Sequence, residues 1–272
     1  MARKKVLFIS SEMNPFLQGS SVSEIARLLP QAIQEKDNEI RILVPRFGVI
    51  NERRNRLHEV VRLSGINITI EDNDNPLVIK VASIPDAKMQ VYFLDNEDYF
   101  HRKYVYTNEN NEFFPDNDER TIFFCKGAIE TVKKLGWSPD IIHCQGWMTS
   151  LIPLYLKTLY KDEPVFRNAK VVYSVFENMF EENLGKDFAR KASLNNIDSE
   201  QLAVYDDGDC RDLYIGAIQH SDAVVKCSQA LDPAVEQFIA SVAVEKPVLQ
   251  HKVESYGDEY AQFYDQLLTS ES

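Results

Sequence analysis

Apolar positions along this chain follow two periods in turn. Val6-Leu7-Phe8-Ile9 is an unbroken apolar run, the pattern of a strand covered on both faces in a parallel sheet. A loop over residues 10–20 follows, containing Asn14-Pro15 and Gly19. Val22, Ile25, Ala26, Leu29, Ala32 and Ile33 then recur at helical spacing. Ser21-Val22-Ser23-Glu24 has the spacing of a capping box, and Pro30, inside the pattern, is expected to kink the helix. Residues 40–44, stopped by Pro45, give a second strand, so the opening reads as a right-handed β-α-β crossover.

Residues 57–94 change character. Segments 57–61, 66–70, 77–82 and 89–94 are short, β-branched and partly alternating, with Ser64-Gly65, Asp74-Asn75-Pro76 and Pro85-Asp86 between them. This predicts an antiparallel hairpin extension of the sheet. Residues 95–119 are polar and acidic with scattered aromatics (Tyr99, Phe100, Tyr104, Tyr106, Phe113, Phe114), which predicts a long surface loop with aromatic anchors.

The strand-helix alternation then resumes. The pattern predicts a helix over 121–135 ended by Gly136, a strand at Ile141-Ile142 and a helix over 147–160. Next come a strand over 171–175, a mixed polar stretch over 176–208, a helix over 213–220, a strand over 223–226 and a helix opened by Pro233. Pro247 and Gly257 bracket a connection. Tyr256, Tyr260, Phe263, Tyr264, Leu267 and Leu268 form one apolar helical face. That face reads as a C-terminal helix docked on its own domain, with a partner-helix or dimer surface as the alternative. The whole is an α/β pattern: a mostly parallel sheet with helices on both faces and a β-hairpin extension. The expected organisation is one Rossmann-like domain over 1–230 with a helical extension, 231–272, packed on it. Ligands of such sheets bind beyond the carboxyl ends of the strands, which singles out residues 10–20, 144–148 and 176–183.

Composition narrows the function classes. The chain has 272 residues, 44% hydrophobic and 26% charged, which is enough for a sizeable core and ordinary for a globular protein. A formal charge of −12 argues against nucleic acid and anionic membrane surfaces as partners. Cys125, Cys144, Cys210 and Cys227 show no C-x-x-C pairing and no His at ligand spacing, so buried reduced thiols are expected. No apolar stretch approaches the ~18 residues of a membrane span, and residues 6–9 are too short for a signal-peptide core. The expected location is the cytoplasm. Arg53-Arg54, Arg56 and His58 read as a solvated or salt-bridged loop near Glu52 and Glu59, or as an anion or partner contact. The acids of residues 116–119 suit a helix start. Glu177, Glu181 and Glu182 have no diagnostic metal spacing, and the sequence calls for no metal or cofactor.

Several segments resemble one family in order. Lys5-Val6-Leu7-Phe8-Ile9-Ser10-Ser11-Glu12-Met13-Asn14-Pro15-Phe16 resembles the opening of glycogen/starch synthases, K-V-L-F-V-x-S-E. Leu29-Pro30, Arg41-Ile42-Leu43-Val44-Pro45-Arg46-Phe47-Gly48, Trp137-Ser138-Pro139-Asp140-Ile141-Ile142-His143 and Trp147 follow that family's run. So do Val172-Tyr173-Ser174-Val175 and Ser221-Asp222-Ala223-Val224-Val225-Lys226-Cys227-Ser228. The resemblance covers about residues 4–230. It implies the N-terminal half of a GT-B glycosyltransferase moving glucose from ADP-glucose to an α-1,4-glucan, with most nucleotide-sugar contacts in a second domain that the residues after 230 are too few to build.

The departures from that pattern fall on the three loops. Gln18-Gly19-Ser20-Ser21 stand where the family has K-T-G-G, so the cation beside the donor phosphates is replaced by a neutral amide. His143-Cys144-Gln145-Gly146-Trp147-Met148 stand for H-x-H-D-W-H; His143 and Trp147 remain, and Gln145 is no general acid or base. Phe176 and Glu177 replace the His and Asn of T-V-H-N. The resemblance therefore leaves His143 and Gln145 as vestigial catalytic candidates. Gln18, Gly19, Ser20, Ser21, Trp147, Phe176 and Glu177 are the candidates for donor or glucan binding.

Three functions are compatible with this. The first is a degenerate single-domain homologue that binds a glucan, a sugar nucleotide or a partner glycosyltransferase. The second is an active glucosyltransferase, alone or completed in trans. The third is an assembly protein, such as a homodimer joined through a surface the second domain would cover.

Overall fold

The structure, a computed structural model, describes residues 3–84, 87, 89–194, 196–253 and 256–269. The apolar run near the amino terminus becomes β1 (Lys5–Ser10), in which Val6, Leu7, Phe8 and Ile9 are all buried. The amphipathic segment is α1 (Ser21–Gln34), and β2 (Glu39–Pro45) returns parallel to β1. Pro30 does not end α1, which continues past it to Gln34 with Pro30 in the buried stripe. The cap lies one residue earlier than the spacing predicts: Ser20, extended at φ −124°, is the N-cap, and its partner is Ser23 rather than Glu24.

A one-turn helix α2 (Glu52–Asn55) leads into β3 (His58–Glu59), β4 (Ile66–Ile70), β5 (Asn73–Ile84) and β6 (Met89–Asp95). β5 pairs antiparallel with β3, β4 and β6. The hairpin expectation holds for β5, but β6 also lies parallel to β2 and so belongs to the main sheet. The predicted Pro85-Asp86 turn lies outside the described residues.

The predicted long loop is more structured than its polarity suggests. It contains α3 (Glu97–Phe100) and the first residues of α4 (Asn117–Leu135), and Tyr99 and Phe100 are buried. Buried Arg120 explains the ordering. Its guanidinium sits among Phe47, Phe100 and Phe114, donates to the Tyr99 carbonyl at 2.8 Å and to Asn117 Oδ1 at 2.5 Å, and is depressed to about 10, chiefly by burial. A cation taken from water needs such ring faces and carbonyls to remain charged.

The second half supplies β7 (Ile141–Gln145), α5 (Leu151–Lys157), β8 (Lys170–Val175), α6 (Phe188–Ala192), α7 (Ser199–Leu202), α8 (Cys210–His220), β9 (Ala223–Lys226), α9 (Pro233–Val242), β10 (Val248–Gln250) and α10 (Tyr256–Thr269). The helix expected over 147–160 is divided into a 3-10 turn at Trp147–Thr149 and α5. The connection expected between Pro247 and Gly257 contains β10, parallel to β9.

The strand order is β10-β9-β8-β7-β1-β2-β6-β5-β3, parallel from β10 to β6. Connections run one way from β1 to β2 and the other way from β7 to β10. Right-handed crossovers therefore place α1 on one face and α4, α5, α8 and α9 on the other. The contacts agree: α4 touches α5, α5 touches α8, and α8 touches α9, while α1 meets α10. Two aspartates lock the amino ends of the strands. Asp140 accepts from the Lys5 amide and Asp222 from the Val171 amide, while their own amides donate back to Lys5 and Val171.

The C-terminal aromatic face docks on its own domain. Tyr260, Phe263, Tyr264 and Leu267 are buried, and Lys4 pairs with Asp265 at 2.7 Å; the Tyr256 side chain lies outside the description. All four cysteines are free thiols, and burial pushes Cys125, Cys210 and Cys227 up to about 12.

Gly48 donates its N–H to the Phe100 carbonyl at 2.7 Å, and a Cβ there would fall against the backbone of Arg102 and Phe100. Backbone cannot rotate aside as a side chain can. Gly48→Ala is expected to destabilise the fold by roughly 1–3 kcal/mol or more, measured by urea denaturation.

Candidate functional site

The strand order reverses between β1 and β7, and the loops following them meet at the sheet's carboxyl edge. This is where a doubly wound sheet opens a crevice for ligands. Gly146 makes the junction possible. Its φ is +83°, and a Cβ there would lie 2.9 Å from Ser11 Oγ, so only glycine fits both the angle and the space.

In the first loop, Gln18 and Gly19 are exposed, and Ser20 and Ser21 are half-buried. Ser20 Oγ accepts from the Ser23 amide at 3.1 Å and donates to the Glu12 carboxylate. The other Glu12 oxygen accepts from the Tyr106 hydroxyl at 3.2 Å. Burial and the Glu12 charge push the Tyr106 phenol well above its ordinary value, so it remains a donor. The amino end of α1 thus faces a carboxylate of the same chain, where the positive helix end favours an anion.

In the second loop, His143 is completely buried. Nδ1 lies 2.6 Å from Tyr264 Oη and Nε2 lies 2.7 Å from Ser174 Oγ, with the Tyr260 ring stacked at 5.9 Å. A neutral imidazole has one donor and one acceptor, and two hydroxyls satisfy both. Burial, with a smaller contribution from His251, holds His143 down at about 3. Gln145 is also fully buried, beside Ser10 and Ser174 in register, and its amide atoms have no hydrogen-bond partner among the described residues. Trp147 is buried beneath Tyr106 (5.0 Å), Phe113 (6.4 Å) and Phe180 (4.8 Å). In the third loop Phe176 is buried and Glu177 exposed, its amide donating to Ser228 Oγ at 3.0 Å.

The structure therefore separates the sequence candidates. Gln18, Gly19 and Glu177 face solvent; Ser20 and Ser21 open α1; His143, Gln145, Trp147 and Phe176 lie inside. Sequence reasoning passed over Glu12, Ser174 and Tyr264 as functional partners, and treated Tyr106 and Phe113 only as anchors. Glu12 sits within the quoted Ser10-Ser11-Glu12 motif, but its bonds to Ser20 and Tyr106 span the fold. The three loops, 10–20, 144–148 and 176–183, contain Glu12, Glu177, Glu181 and Glu182 and no Lys, Arg or His. No group of three or more His, Cys, Asp or Glu among the described residues is placed to hold a metal ion.

Residues 5–237 match the family model described as starch synthase catalytic domain. The chain belongs to the starch synthase catalytic domain family. A glycogen synthase of Pelodictyon phaeoclathratiforme is 34% identical over 93% of this chain and 52% of its own length. One from Chlorobium limicola is 39% identical over 84% of this chain and 47% of its own length. The chain thus spans about half the length of the curated relatives it matches. The catalytic domain of starch synthase IV from Arabidopsis thaliana, bound to ADP and acarbose, shares the fold with a TM-score of 0.73 and 17% identity, over 93% of this chain and 52% of the other. No helix among the described residues is long and apolar enough to cross a membrane.

The buried imidazole gives a pH signature. Unfolded, His143 protonates near 6.5; folded, it stays neutral to about 3. Its contribution to stability is therefore whole above pH 6.5 and is lost as pH falls, by about 1.4 kcal/mol per unit. Denaturation of wild type and His143→Gln between pH 6.5 and 4.5 is expected to show a shallower pH slope for the variant by about that amount.

Proposed function

We propose that this chain is a glycogen synthase-like scaffold that binds an α-glucan at its carboxyl-edge loops and does not itself transfer glucose. The observation that carries this is electrostatic: the three loops hold four carboxylates and no Lys, Arg or His. A nucleoside diphosphate sugar brings negative charge that needs cationic or amide partners. Like charges about 4 Å apart cost on the order of 4 kcal/mol each at a protein surface. Gln18 stands where the family pattern has the Lys of K-T-G-G, so this loop brings no cation to the start of α1.

Proton transfer is equally unsupported. Gln145 does not titrate, and His143 is neutral and enclosed, with both nitrogens engaged. A neutral glucan meets none of these penalties. Sugar rings pack their C–H faces on aromatic side chains, and half-buried Phe113, Phe180 and Tyr106 cluster over Trp147. ADP-glucose and glucan are the ligand classes suggested by the family, and the loop charges favour the uncharged one. Transfer alone or completed in trans would require another source of cations and of a proton-transferring group.

Calorimetry with maltoheptaose and with ADP-glucose separates the readings. Maltoheptaose is expected to bind, with affinity reduced about tenfold or more by Phe180→Ala, a loss of about 1.4 kcal/mol; ADP-glucose is expected to give no heat. Labelled glucose from ADP-glucose appearing in glycogen with the purified chain would overturn the proposal.

A further inference from the structure

Beside the first carboxyl-edge loop, α2, the Pro15-Phe16 turn and β5 enclose a cavity of ≈ 490 Å³. Its walls differ in character. Arg54 and Arg56 line it, exposed, and neither makes an ion pair with a carboxylate among the described residues. The nearby Glu52 carboxylate is already occupied by Arg46 and by Lys80 at 2.6 Å. Those contacts, with burial acting in the opposite sense, hold Glu52 below its ordinary value. Glu59 is one residue beyond His58 and does not line the cavity. The apolar lining includes Phe16, edge-on to Phe93 at 4.9 Å, with Val81, Ala82 and Ile84. Ser83 and Gln90 add hydroxyl and amide groups.

The backbone that carries the two arginines is fixed by local bonds. The Arg54 amide donates to Asn51 Oδ1 at 2.8 Å, and Arg56 ends the turn at φ +52° with its amide on the Arg53 carbonyl. In a chain of net charge −12, two guanidinium groups with no carboxylate partner among the described residues, beside one concavity, mark a place for an anion. Guanidinium forks match phosphate oxygens. The volume, within the range of small-molecule pockets, exceeds what a bare phosphate fills. A phosphate attached to a body with one apolar face and several hydroxyls satisfies both kinds of lining.

We propose that this cavity binds a hexose monophosphate, its phosphate on Arg54 and Arg56 and its ring against Phe16. The inference is independent of α-glucan binding at the carboxyl edge. Calorimetry on the full chain with glucose 1-phosphate, glucose, inorganic phosphate and AMP tests it, alongside Arg54→Ala/Arg56→Asn, where Asn tolerates the left-handed backbone. The expected result is saturable binding of glucose 1-phosphate, at least tenfold weaker in the double variant. Glucose, phosphate and AMP should each bind at least tenfold more weakly than glucose 1-phosphate. Maltoheptaose binding and thermal midpoint should be unchanged, which shows that the variant is folded. No binding of glucose 1-phosphate, equal binding by the double variant, or inorganic phosphate or AMP binding as tightly would each overturn the proposal.

Discussion

One hydrogen-bonded column, Tyr264 to His143 to Ser174, ties the C-terminal helix through a central strand to its neighbour. An imidazole with no access to water must be neutral and must find one donor and one acceptor. The two hydroxyls meet that demand only while α10 lies on the sheet. The same requirement that docks the helix keeps His143 neutral and enclosed, with both ring nitrogens engaged.

The family relationship and the loop electrostatics lead in different directions, and they concern different levels of structure. Glycogen synthase relatives and the starch synthase IV domain share this chain's scaffold. What the crevice can hold depends instead on a handful of side chains at the ends of β1, β7 and β8, where fold alone assigns no role. Glu12 shows why. It lies within a stretch that resembles the family, while its partner Ser20 stands where the family pattern has Gly, so the surroundings differ although the carboxylate does not.

Much of the fold was legible because buried strands announce themselves. Val6-Leu7-Phe8-Ile9 is apolar whichever way it faces, so no register ambiguity arises there. The errors came from weak local signals. Adjacent serines left the α1 cap ambiguous by one residue. β10 is three residues long and amphipathic in no period. Residues 95–119 looked like a loop because their order comes from Arg120 and its phenyl cage, a long-range arrangement. In the candidate site, His143, Gln145 and Trp147 could be placed by motif, whereas Tyr264, 121 residues from His143, could not. Sequence spacing carries no information about such partners.

The aspartate locks at Asp140 and Asp222 have a mechanical corollary. They stitch neighbouring strands together at the amino rim, each by a reciprocal pair of bonds. At the opposite rim, long loops take over where the strands stop. The amino rim is therefore held by bonds in which no residue of the carboxyl-edge loops takes part, so a substitution in those loops leaves these locks intact.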